Sequence, residues 1–331
     1  MSNQGLYSVA DASKLIDRGR ILLVAGDEAL LRQLPKGTWI GGTSTNFMAP
    51  VGGLTERSKV FVSDISDQVK RAEVRSYTVD ELSHISADYP DNGFTVLNVP
   101  AFSEVHSTFA KKVSTYDGVF NAPLYGWISG VDVSEIGKRS PKTFAGNGTP
   151  LDDRASALHV TLPPGRAAKI DIVNLFAQGE GAEIEFAIDG FESKGDCLIG
   201  GKPGNLASFV AANKIDVKLP LVANYQGAMI NVSLREVDPA AGTATFYAPV
   251  FKGVAYKFAA PIADYVEGFT RQLATIKTNS IALSCNCVLN YLYAELEGKK
   301  TGSITGPITF GEIAYILLNQ TLVYLSIDTV V

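Results

Sequence analysis

A chain of 331 residues is too long for one ordinary core and implies two domains or a duplicated α/β unit. Its 46% hydrophobic and 19% charged residues are the composition of a globular protein with apolar material for two cores. A formal net charge of -5 speaks against sequence-independent binding of nucleic acid or of an anionic membrane, since both need a basic surface.

The first residues, Met-Ser-Asn-Gln-Gly, have no basic segment followed by an apolar one, so no signal peptide is expected. The apolar runs Ile21 to Ala25 and Ala314 to Leu318 are too short to span a bilayer, so no membrane insertion is expected. Cys197, Cys285 and Cys287 are an odd number without framework spacing, which reads as reduced thiols and a cytoplasmic location.

In chain order, Val9, Ala12, Leu15 and Ile16 have helical spacing, and Gly19 is placed to end that helix. The apolar run Arg20 to Ala25 predicts a buried strand, Glu28 to Leu34 a helix stopped by Pro35, and Thr38 to Ile40 a second strand. Strand, helix and strand at this spacing predict a parallel βαβ unit. Further strands are predicted at Val60 to Ser63 and Thr95 to Val99, with helices across Tyr77 to Ser86 and Ser103 to Tyr116.

Past Tyr125 the texture changes to short strands and turns: His159 to Leu162, Lys169 to Val173, and the alternating Glu183 to Ile188. Pro203 to Asn213 reads as a helix, and Val237 to Gly242 as the turn of a hairpin between Met229–Leu234 and Thr243–Tyr247. A helix at Pro261 to Leu273, a strand at Ile281 to Cys285, a helix at Val288 to Gly298 and a strand at Thr321 to Ile327 complete the pattern. The fold class is α/β with mixed α+β character in the C-terminal half, divided into residues 1–165 and 166–331.

Three stretches can carry chemistry. Gly41-Gly42-Thr43-Ser44-Thr45 sets glycines and hydroxyls after a buried strand, where open α/β sheets bind ligands, but the same residues also make a capped tight turn. Ser284-Cys285-Asn286-Cys287 offers thiols at a strand end, read either as pocket lining or as buried apolar packing. Glu312, with Asn319 and Gln320 before the last strand, can fix a polar ligand or pin that strand. His84, His106 and His159 stand apart from any metal or nucleophile motif, so no metal or cofactor is called for.

Phe310-Gly311-Glu312-Ile313 and Asn319-Gln320-Thr321-Leu322 are similar to the closing motifs of the FIST family, a two-part bacterial sensory module. Ser284-Cys285, Gly41 to Thr45 and Gly126-Trp-Ile-Ser-Gly130-Val-Asp132 resemble further motifs of that family. Val288-Leu289-Asn290 stands where the family commonly has an Arg, and the tyrosine-rich approach to its Gly-Glu motif is reduced here to Thr309-Phe310. The resemblance implies a sensory protein that binds a small molecule, with amino acids or their derivatives as ligand class.

The resulting expectation is a small-molecule sensor without its own output domain, which works through a protein partner or as a homo-oligomer. Its ligand residues would be Gly42, Thr43, Ser44, Asp132, Cys285, Asn286, Glu312 and Asn319, in a pocket at the junction of the halves. The aromatic stretch Phe246 to Phe251, with Tyr256 and Phe258, is the candidate partner surface, or else the filling of the second core. Two rival readings are a cysteine-dependent enzyme using Cys285 or Cys287 and a haem-based gas sensor.

Overall fold

The computed structural model describes residues 4–195, 197–276 and 280–330; the first three residues of the N-terminal reading lie outside it. Strand outweighs helix, 43% to 19%, so sheets organise the protein more than the βαβ pattern suggested. Among the described residues, no helix is long and apolar enough to cross a membrane.

The chain divides into two compact units, one of 1–173, 270–317 and 321–331, the other of 174–269 and 318–320. This differs from the two linear halves expected from sequence. The first crossing falls near the expected boundary, but the C-terminal strands return to the first unit because they pair with strands of the N-terminal segment: Gly306–Thr309 with Asn46–Ala49, and Glu312–Ala314 with Leu124–Ser129.

The first unit opens as the sequence predicts. Helix α1 (Val9–Asp17) begins at Ser8, whose hydroxyl accepts from the Asp11 N–H, and buries Ala12 and Ile16. Its end at Gly19 takes the left-handed φ of 75° that glycine adopts freely. Strand β1 (Leu22–Gly26) follows, then the short α2 (Glu28–Leu31) capped by Asp27, then β2 (Trp39–Thr43) parallel to β1. Ala12, Ile16, Leu22, Val24, Leu31 and Trp39 pack into one apolar cluster on the helix side of this sheet.

Next come β3 (Arg71–Tyr77) and β4 (Gly93–Pro100), helix α3 (Glu104–Lys112), then β5 (Leu124–Ser129), β6 (Ala155–Thr161) and β7 (Arg166–Val173). The helix expected across Tyr77 to Ser86 is instead the end of β3 followed by a 3-10 turn, Leu82–Asp88. After the second unit, β8 (Ile281–Cys287), β9 (Glu312–Ala314) and β10 (Leu322–Thr329) complete the first.

These strands form three six-stranded sheets. In the first, β1 and β2 are central neighbours. In the second, β9, β5, β4, β6 and β3 lie side by side, with β4 and β5 parallel. In the third, β7, β10 and β8 are consecutive, and β7 is the edge.

Face-packed sheets ordinarily lie about 10 Å apart. Here Cα atoms of β2 come within 8 Å of β4, β5 and β6. Gly42 on β2 makes this possible, while Gly41, on the opposite face, sits tight against its own sheet. A Cβ on Gly42 would sit 2.1 Å from Ser129 Oγ and 3.1 Å from Trp127 Nε1, and one on Gly41 would sit 2.8 Å from the Val24 carbonyl oxygen.

The second unit is built of antiparallel strands. A hairpin turns where expected, at 237–242, but its first arm is Leu234–Asp238, paired to Thr243–Val250, whereas the expected arm Met229–Leu234 is mostly a separate strand, Ala228–Val232, paired to Leu221–Tyr225. The proposed aromatic partner surface is part of its core: Phe246 and Tyr256 are buried, each edge-on to Phe186 at 5.6 Å. Alternation along the strand turns these rings inward, so they do not supply a docking face.

Valine has the higher strand propensity, so local preference alone would have Gly42→Val stabilise β2. The close approach reverses the sign. We expect this substitution to cost about 1–3 kcal/mol from overpacking, measured by urea denaturation; an unchanged or raised midpoint would show that the two sheets are free to move apart.

Candidate functional site

Six of the eight expected ligand residues, Gly42, Thr43, Ser44, Cys285, Asn286 and Glu312, are buried in the first unit. Strand pairing gathers them: Asn286 lies opposite Ile308, and Cys287 opposite Thr309, on parallel strands. Ser44 Oγ donates to the Ile308 carbonyl at 2.7 Å, and Thr309 Oγ1 donates to Glu312 at 3.1 Å. Asn319 belongs to the second unit, where its side-chain amide donates to the Leu318 carbonyl.

Most polar atoms of the gathered residues are spent on the fold, the Asn286 Nδ2 group being an exception without a partner among the described residues. Thr43 Oγ1 accepts from the Lys142 N–H at 3.0 Å, and Asn286 Oδ1 accepts from Asn290 at 2.9 Å. Asp132 accepts from the Ser134 N–H and hydroxyl and pairs with Arg57 at 2.8 Å; the Ser134 bonds first, then the guanidinium, hold its carboxyl below the usual range. The cavity beside Tyr125, Trp127 and Ser284 has a volume of about 10 Å³, close to the space one water needs. The Gly41-to-Thr45 loop therefore serves the close approach of sheets and capping bonds in this conformation, as the turn reading allowed.

Glu312 is completely buried, and its carboxyl accepts from the Thr309 and Thr321 hydroxyls at 3.1 and 2.9 Å. Burial outweighs these bonds and raises its pKa to about 8. Cys285, whose thiol faces the Gly126 carbonyl at 3.5 Å, is pushed well above the ordinary thiol range by burial and by Glu312. A neutral, inaccessible thiol is a poor nucleophile, which weighs against thiolate chemistry at Cys285.

Pairing also aligns Ser156, Asn98, Trp127 and Glu312 side by side across β6, β4, β5 and β9, a polar row that sequence reading missed. The Asn98 amide, the Ser156 hydroxyl and the Trp127 indole N–H have no protein hydrogen-bond partner. No sequence pattern signals this row, because its members are 29 residues or more apart and only register brings them together.

A second set of residues borders an actual opening. A surface cleft of about 360 Å³ at the edge strand β3 is walled by Arg71, Glu73, Asp88, Tyr89, Asp91 and His159. His159, read from sequence as isolated, sits opposite Glu73 and Thr95 in the sheet. Tyr77 donates to Asp88 at 2.6 Å and therefore accepts from His159 Nε2–H at 2.7 Å; His159 Nδ1 then accepts from the Thr95 hydroxyl at 2.8 Å. Burial lowers the His159 pKa to about 4, so the ring is neutral at physiological pH. Both its nitrogens are engaged, so neither is free to bind iron as it stands.

Arg75 bridges Asp88 at 2.7 Å and Glu73 at 2.9 Å. Arg71 and Asp91, both exposed, make no ion pair among the described residues. The single charge of Arg75 serves two carboxylates, and the cleft adds one cation, Arg71, and one anion, Asp91, outside any ion pair, above a hydrogen-bonded floor. Among the described residues, no three His, Cys, Asp or Glu side chains are grouped to hold a metal ion.

The model of a family of unknown function, DUF6976, matches residues 7–328. The chain belongs to that family. No curated protein matches it. The family assigns no activity and makes no link to FIST proteins, so the physical features of this DUF6976 chain carry the functional reading.

Glu312 makes a pH signature. Below about 4.5, its ordinary value, both folded and unfolded states hold the proton; between there and about 8 only the folded state does. Its contribution to stability therefore falls as pH rises through that window, by roughly 1 kcal/mol per unit at most. Glu312→Gln mimics the neutral acid. Melting curves should show the variant gaining on the wild type from pH 5 to pH 8, and a constant difference would mean that Glu312 does not titrate there.

Proposed function

We propose that this protein is a binding module for a small zwitterionic metabolite of the amino-acid type, and that it signals through a partner rather than by chemistry of its own. The observation that carries the reading is the cleft with Arg71 and Asp91 on its wall, charges of opposite sign without counter-ions in the protein. A carboxylate on the Arg71 guanidinium and an ammonium on the Asp91 carboxylate would complete both.

Size and rigidity support this. About 360 Å³ is at the small end of the usual range for small-molecule sites. The floor is held by the chain from Arg75 through Asp88, Tyr77 and His159 to Thr95, so little ordering is left for a ligand to cost. The FIST resemblance adds the same ligand class. The ligand reading accordingly moves from the strand-end residues named from sequence to the edge of β3.

Calorimetric titration of the full chain with a panel of free amino acids tests the reading. We expect at least one to bind, and Arg71→Gln and Asp91→Asn each to weaken it by about tenfold or more, the low end for a hydrogen bond to a charged group. Binding that survives the double substitution would place the ligand elsewhere, and silence across the panel would remove the ligand class.

A further inference from the structure

Strand β7 is the longest strand at the edge of any sheet among the described residues, with eight residues. It pairs along its whole length with β10 on one side, Arg166 with Thr329 through Val173 with Leu322. On the other side, the backbone groups of residues 167–173 have no hydrogen-bond partner among the described residues. Long regular edges are templates for another strand, and proteins ordinarily shorten, bulge or block them.

Every other edge strand among the described residues is shorter. Gln4–Tyr7 and Gly52–Thr55 have four residues, and Pro150–Leu151 has two. The edge of β3 is one residue shorter than β7, and Arg154 covers one point of it, donating to the Ser76 carbonyl at 3.2 Å. Strand β7 has neither protection. It has no proline, no bulge in its pairing, and one lysine whose charge is balanced by Asp171 two residues on, at 2.6 Å.

The sequence of β7 is self-complementary. In an antiparallel pair of two copies centred on Ile170, Lys169 of each copy lies opposite Asp171 of the other, and Ala168 opposite Ile172. Both charges point to one face, with Lys169 68% and Asp171 29% exposed. Ala168, Ile170 and Ile172 point to the other face, where Ile172 is 42% exposed although its neighbour Val323 is fully buried. The apolar face of the sheet thus continues to an edge that leaves an isoleucine in water.

We propose that β7 is the interface of a symmetric homodimer, in which two copies pair antiparallel through Ile170 and join their six-stranded sheets into one. The occupant is a second copy of this chain, because two-fold symmetry about Ile170 sets each charge opposite its counter-charge and a small residue against a large one. An unrelated peptide would have to match that charge order independently. The proposal does not depend on the ligand reading, since its residues line β7 and not the cleft.

Sedimentation of the full chain tests it. We expect a species of twice 35.3 kDa. Lys169→Asp and Asp171→Lys each place like charges opposite one another and should raise the dimer dissociation constant by about tenfold or more. The double exchange, Lys169→Asp with Asp171→Lys, restores opposite charges in the same register and should restore the dimer. Both positions of change are at a solvent-facing edge, and circular dichroism verifies that the three variants fold. A monomeric wild type, a dimer indifferent to the single reversals, or a double exchange no better than the singles would each overturn the proposal.

Discussion

The first unit depends on how closely β2 lies against the central sheet. Gly42 removes the side chain that would hold two sheets at their ordinary spacing, and the indole of Trp127 and hydroxyl of Ser129 fill the space instead. The strand end that follows is fixed by the same approach: Thr43 meets Lys142, its carbonyl accepts from the Gly130 N–H, and Ser44 reaches Ile308. What reads in one dimension as a ligand loop is in three dimensions a point where sheets touch.

That packing places polar groups in the interior. Glu312 has two threonine hydroxyls to hold its carboxyl, and burial tips it toward the neutral acid. The neighbouring thiol at Cys285 is kept protonated by the same dry surroundings. A buried acid and a buried thiol, neither with a cation beside it in the hydrogen-bond network, form a structural node whose charge state matters to stability more than to recognition.

Recognition chemistry needs groups that still have bonds to give, and these lie at the sheet's edge. Around His159 the floor is saturated, each donor matched to one acceptor, whereas Arg71, whose Nε donates to Thr161 Oγ1 at 3.3 Å, and Asp91 have no charged partner among the described residues. The division of labour follows from position. Central strands can satisfy polar side chains only among themselves, while an edge strand such as β3 keeps one side open to solvent and to solutes.

The sequence by itself determined the local elements of the N-terminal unit: α1 between its Ser8 cap and Gly19, the apolar β1, and β2 parallel to it. These rest on periodicity and punctuation within about twenty residues, where physics is local. It also marked the turn at 237–242 and the last strand, β10. It could not decide which strands pair across the chain, so the return of β9 and β10 to the first unit, and with it the unit boundaries, came only from tertiary structure. The site followed the same rule. Gly42, Ser44, Cys285 and Glu312 were recognisable as residues that pairing would gather, but not as residues that packing would seal. His159 gave no local signal, because its partners Tyr77, Asp88 and Thr95 are 64 or more residues away and only register across β3, β6 and β4 brings them to one ring.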